Sequence, residues 1–171
     1  GRAQIGPMSR KLKEKEIESF KAKFGYEPIQ FRVAVDAIAV YLNPQNPLAT
    51  RGLDLAQLDA VFSSTRNRGH AEVKTWGDLG LTGEWADAPV KVYSRNSASG
   101  TYGVFKKTVL DGGTYKKTNM ELEGSAQVVS AVVKDKFGIG YSGIGYKTDE
   151  VAVAPLSAEP GAEKFPPEAQ H

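Results

Sequence analysis

The chain has 171 residues, and 22 lysines and arginines against 20 aspartates and glutamates leave a net charge of +2. That length can bury a real core in one domain or two small ones, and a balance so close to neutral disfavours nucleic acid as a partner, because binding a phosphate backbone needs clustered positive charge. Cysteine is absent, which excludes disulfides, thiolate metal ligands and thiol nucleophiles, and no apolar stretch approaches the roughly 20 residues that span a bilayer, so no direct membrane insertion is expected. An N-terminal basic-then-apolar signal is also missing, so the chain reads as a mature product, a cytosolic protein or an excised piece.

Ser9 precedes a charged run in which Leu12, Ile17, Phe20 and Phe24 recur at helical spacing until Gly25. This predicts a surface helix with one buried stripe and a glycine stop. Its lysines alternate with Glu14, Glu16 and Glu18, as on a solvated face rather than a basic patch. Residues 29–42, IQFRVAVDAIAVYL, are almost continuously apolar and suit a strand buried on both faces. Asp36 lies in its middle, where a carboxylate must be paired, hydrogen-bonded or neutralised; the alternative is a break at Asp36, with its side chain capping a turn. Two prolines in residues 43–47 then end the extended segment.

Leu53, Leu55, Leu58, Val61 and Phe62 predict a short helix capped by Asp54, and Trp76 and Trp85 read as packed anchors of an irregular, glycine-rich stretch. Residues 90–93 form a strand, Tyr102, Phe105 and Val109 mark a helix ended by Asp111-Gly112-Gly113, and Ser125 opens another helix through Val133. In FGIGYSGIGY, residues 137–146, glycine alternates with large apolar residues. The pattern lacks the strand-turn-helix context of a dinucleotide fingerprint and points to close backbone packing. Residues 151–153 are one more short strand, and the tail from Pro155, with four of the nine prolines, reads as a linker or frayed end.

The stretch KVYSRNSASGTY, residues 91–102, carries the most chemistry. A strand delivers Arg95, and four residues later Ser99, Gly100 and Thr101 stand at a helix start. The unpaired N–H groups and partial positive charge of such a start suit an anion; Gly100 allows close approach, the hydroxyls donate, and a guanidinium fork matches two oxygens of a tetrahedral anion. A plain turn feeding a helix remains the other reading of the same residues. His70 and His171 are the only histidines and have no nucleophile or acid placed around them, so neither a catalytic triad nor a metal centre is expected, and no cofactor is implied.

Several separated segments carry a resemblance: GPMSRKL (residues 6–12), VAVDAIAV (33–40), FSSTRNRG (62–69), WGDLGLTGEW (76–85), SRNSASGTYGVFK (94–106) and IGYSGIGYKT (139–148). In this order, over residues 1–156, the chain resembles the phosphate-binding proteins of bacterial phosphate ABC transporters. The resemblance implies an α/β, class II periplasmic-binding-protein-like fold: part of a first lobe in residues 1–43, one complete lobe in 44–146, and a return segment and proline-rich tail in 147–171. It implies a non-enzymatic, periplasmic protein that binds inorganic phosphate and delivers it to a membrane permease. Ser9, Asp36, Arg95, Ser99, Gly100 and Thr101 are the implied phosphate ligands.

Asp36 gains a purpose from the resemblance. It would accept the proton that phosphate keeps near neutral pH and repel sulfate, which has none to offer. Some relatives brace the arginine with an aspartate two residues later, where this chain has Ser97. Strips of the first lobe without their neighbours imply weakened phosphate binding. A phosphatase-like enzyme and a phosphate-sensing or adhesion module remain alternatives, the first disfavoured by the missing nucleophile-base pair.

Overall fold

A computed structural model describes residues 5–6, 8, 10–33 and 36–166. The chain divides into two compact units, Gly1–Asp36 and Ala37–His171.

In the first unit, helix α1 spans Glu14–Phe24. It stops at Gly25, whose φ of 79° lies in the left-handed region and whose N–H donates to the Lys21 carbonyl at 2.8 Å, a glycine C-cap as expected. At the other end the Glu16 carboxylate accepts from the Lys13 N–H at 2.8 Å and from both terminal nitrogens of Arg10 at 2.8 Å each. The Arg10 hydrogen bonds, followed by that from Lys13, hold the Glu16 carboxyl down at about 2. Phe20 packs on Phe24 and Tyr26, at centroid distances of 4.6 and 5.5 Å. Even so, no residue of α1 is fully buried, so the expected buried stripe is only half covered within this unit.

The expectation of one buried strand over residues 29–42 is corrected. Strand β1 is only Ile38–Leu42; Ile29, Phe31 and Val33 are 80, 81 and 95% exposed, and Asp36 is exposed outside the strand. Hydrogen-bonding partners set this limit. The ladder on β1 begins with the pair Ile38↔Gly143, and an apolar pattern without a partner strand leaves its backbone groups to water.

The second unit contains β1, α2 (Leu48–Arg51), β2 (Leu53–Asp54), α3 (Leu55–Phe62), β3 (Lys91–Arg95), α4 (Gly100–Thr108), β4 (Met120–Leu122), α5 (Ser125–Lys134), β5 (Gly138–Gly143), β6 (Ala152–Val153) and β7 (Leu156–Ser157). A five-stranded sheet runs β4-β3-β5-β1-β6, with β3 parallel to β4 and β5, and β1 antiparallel to β5 and β6. The strand β1, which lies within the residues 1–43 that the resemblance assigns to a partial first lobe, pairs inside the sheet of the second unit.

Every residue of β5 is buried. Its glycines let α5 lie flat: a Cβ at Gly140 would stand 2.7 Å from Val128 Cγ1 and 3.0 Å from the Tyr93 carbonyl oxygen. On one face of the sheet Val40, Leu42, Val92, Ile139 and Tyr141 join a core with Leu58, Phe62, Trp76 and Phe105; on the other, Ala39 and Tyr41 meet Val129 and Val132 of α5. Trp76 and Trp85 do anchor loops. They meet edge to face at 6.1 Å, and Trp76 Nε1 donates to the Phe137 carbonyl.

Asp54 caps α3 as the sequence predicts, accepting the Gln57 N–H at 2.8 Å. The tail departs from expectation. β7 pairs in parallel with β2, and Leu156 and Phe165 exchange two backbone hydrogen bonds of 3.0 and 2.9 Å, so backbone pairing rather than apolar pattern ties down this segment through residue 165.

Candidate anion-binding site

β3 carries parallel neighbours on both sides, β4 and β5, and ends at Arg95. Beyond the carboxyl ends of such strands, α/β sheets leave room for ligands. The chain turns there through a tight loop, with the Asn96 N–H on the Leu122 carbonyl at 3.1 Å and the Ser99 N–H on the Asn96 carbonyl at 3.0 Å, and enters α4 at Gly100. Ser99 is the N-cap residue, with φ −77° and ψ 133°, and its side chain makes no capping bond. The first-turn N–H groups of α4 are therefore not closed off by their own cap, and Ser99, Gly100 and Thr101 are half-buried.

Helix α4 is held at both ends and along its length. Phe105 is buried, stacks on Tyr141 at 3.7 Å with rings 4° apart, and meets Phe62 edge-on at 5.0 Å. At the carboxyl end Arg68 donates from Nε to the Val109 carbonyl at 2.6 Å and from Nη2 to the Thr108 carbonyl at 2.7 Å, placing a cation at the negative pole of the helix. At the amino end the Tyr115 hydroxyl lies 3.2 Å from the Tyr102 carbonyl and 2.7 Å from the Tyr141 hydroxyl. A carbonyl only accepts, so the Tyr115 proton goes to Tyr102 and Tyr141 donates to Tyr115. The result is a one-way chain from Tyr141 of β5 to the first turn of α4. Burial, first of all, pushes both phenols well above 10 and keeps them protonated for this work.

The Arg95 guanidinium is held from one side. Nη1 donates to Ser125 Oγ at 2.7 Å and Nη2 to the Glu123 carbonyl at 2.8 Å, both at the entrance to α5. Among the described residues Arg95 enters no ion pair, and its Nε is buried without a partner. Its charge is thus oriented but not cancelled. Ser97 is exposed and takes no part.

Four of the six residues singled out from the sequence, Arg95, Ser99, Gly100 and Thr101, lie on this one loop and helix start. Asp36 ends the Gly1–Asp36 unit, and Ser9 lies outside the described residues. Sequence reasoning missed Ser125 and Glu123. The signal for them was topological: a parallel crossover returns the next helix to the carboxyl end of the strand it left, as the pair Arg95↔Leu122 shows. Among the described residues no group of three or more His, Cys, Asp or Glu side chains could hold a metal, and no helix is long and apolar enough to cross a membrane.

Comparison with known families places this geometry. Residues 1–163 match the PBP superfamily domain, and the chain belongs to that superfamily; its fold is the α/β, class II periplasmic-binding-protein type. Among curated relatives, the phosphate-binding protein PstS of Pseudomonas aeruginosa is 50% identical over 163 residues, 95% of this chain and 50% of its own length. PstS of Staphylococcus epidermidis is 30% identical over 149 residues, 85% of this chain and 41% of its own length. The chain thus spans about half the length of the curated relatives it matches. Among solved structures, one described as a candidate phosphate ABC transporter substrate-binding protein from Clostridium perfringens, with bound phosphate, superposes with a TM-score of 0.66 at 26% identity, covering 86% of this chain and 53% of that one. A candidate phosphate-binding protein from Planctomyces limnophilus gives 0.67 at 25%, covering 94% and 55%.

Proposed function

We propose that this chain binds inorganic phosphate as part of a periplasmic solute-binding protein that hands the anion to the permease of an ABC transporter, and that it does so without turnover. The observation that supports this most is Arg95, held in place yet free of any carboxylate among the described residues, beside the uncapped start of α4. Half-identity to a phosphate-binding protein across nearly the whole chain supports the choice of phosphate over other anions.

In this reading the Arg95 fork takes two phosphate oxygens, while the N–H groups and hydroxyls of Ser99, Gly100 and Thr101 take the others. Ser9 and Asp36 are further ligands, Asp36 accepting the remaining phosphate proton. The proposed division into 1–43, 44–146 and 147–171 then shifts at its boundaries: residues up to Asp36 belong to one lobe, while β1, residues 44–146 and the β6–β7 segment belong to the other.

An NMR titration of the 15N-labelled chain with phosphate, and with sulfate as control, tests the reading. Phosphate is expected to shift the amides of Ser99, Gly100 and Thr101 more strongly than sulfate, and Arg95→Gln to weaken the effect by roughly tenfold or more, the value of one charge-assisted hydrogen bond. Equal response to both anions, or no effect of Arg95→Gln, counts against it. Steady release of phosphate from a phosphomonoester would replace binding with an enzymatic role.

A further inference from the structure

We infer that Ser125 is a positioning residue for phosphate binding: from the first turn of α5 its hydroxyl aims the Arg95 guanidinium at the ligand. The inference rests on the phosphate reading above and adds a residue to it that has no place on the strand-loop-helix segment itself.

Three observations carry it. Ser125 Oγ lies 2.7 Å from Nη1, the shorter of the two bonds that hold the guanidinium, and Ser125 is only 8% exposed, so water does not compete freely for that bond. The second holder, the Glu123 carbonyl, is backbone and exerts the same pull whatever the side chain there. Finally, Ser97 is exposed and makes no hydrogen bond to Arg95, and no side chain of the loop itself hydrogen-bonds the fork.

An arginine has several rotatable bonds, and a fork that binds two oxygens at once loses affinity when it must first be ordered. Serine and a carbonyl fix the direction of the fork while leaving its full charge for the anion. Removing the hydroxyl leaves Arg95 present and charged but free to swing, with one N–H facing a methyl group.

The test compares Ser125→Ala, Ser125→Val and Ser125→Thr in the intact 171-residue chain. Valine and threonine have nearly the same shape and differ in the hydroxyl, so a packing effect moves both and a positioning effect moves only valine. Two quantities are read: phosphate affinity by titration, and the side-chain NMR signals of Arg95, whose terminal N–H groups are resolved when the guanidinium cannot rotate and merge when it can. Alanine and valine are expected to merge the Arg95 signals and to weaken phosphate binding roughly tenfold, within the range for a hydrogen bond to a charged group. Threonine is expected to keep both near the parent.

Resolved Arg95 signals in the valine variant, unchanged affinity in it, or equal losses in valine and threonine would each overturn the role of Ser125. Failure of the phosphate reading is recognised separately: the parent chain then gives no phosphate response, or one that Arg95→Gln leaves intact.

Discussion

Two apolar segments of the same chain, taken each within its own unit, show what makes a strand. Ile38–Leu42, IAVYL, is almost wholly buried in the larger unit, whereas residues 29–33, IQFRV, alternate strand-forming Ile29, Phe31 and Val33 with Gln30 and Arg32, and those three stand 80 to 95% exposed. Both stretches suit a strand by propensity. The first segment has β5 and β6 as hydrogen-bonding neighbours and α5 beneath it; the second has neither among the described residues of its unit. A strand is a property of a pair, and the difference teaches how far an apolar run can be trusted on its own.

The largest test of that contrast is truncation of a core side chain against truncation of an exposed one. Trp76→Ala, which removes a fully buried indole and its bond to Phe137, is expected to destabilise the larger unit by about 3–5 kcal/mol in urea unfolding, while Phe31→Ala changes it by less than about 0.5 kcal/mol. Comparable losses at both positions would erase the distinction. Next in size, Gly140→Ala drives a methyl into Val128 and Val132 and should cost about 1–3 kcal/mol by the same measurement. Tyr115→Phe breaks the hydroxyl chain under α4 and should cost about 1 kcal/mol; unfolding curves that overlay the parent's would show that the chain is only decorative.

The two units should also respond at opposite ends of the pH scale. Glu16 titrates at about 2 when folded, against 4.5 for a free glutamate side chain, so its support of α1 is complete above 4.5 and is lost as pH falls toward 2. In the larger unit the shifted tyrosines go the other way. Burial and then the Asp135 bond raise Tyr93 to about 12, and Tyr115 and Tyr141 are also raised, so their contribution is complete below 10 and fades as pH climbs beyond it, where only the unfolded chain releases their protons. Helical amide signals of residues 14–24 that persist unchanged at pH 2, or a larger unit that weakens there but not at pH 11, would contradict this assignment. Smallest in stability, Asp36→Asn should leave unfolding within about 0.5 kcal/mol, because Asp36 is exposed, and, on the phosphate reading proposed above, weaken phosphate binding and lower the preference for phosphate over sulfate in titrations.

Much of this was legible in the residues, for local reasons. Gly25, Asp54, Gly100 and Ser125 announce helix ends because capping is decided within a few residues. The alternating glycines of β5 announce close packing for a similar reason. What could not be read depends on partners distant in sequence: the true start of β1 awaits Gly143, the ordering of the tail awaits β2, and the holders of Arg95 stand 28 and 30 residues away. Arg95, Ser99, Gly100 and Thr101 could be found as a group because they share one turn. Ser125 could not, because its link to them exists only after the crossover through α4 and β4 has closed.

Helix α4 is fastened at one end by Arg68 and at the other by Tyr115. Sliding it by one residue, about 1.5 Å along its axis, would break both attachments together. The alignment of its first-turn N–H groups is therefore settled when the chain folds, and its entropic cost, of order 1–2 kcal/mol for each residue fixed, falls on folding rather than on whatever later binds there. Loosening either fastening should thus leave an anion's contacts unchanged in kind and slow nothing in its approach, but shorten the time it stays.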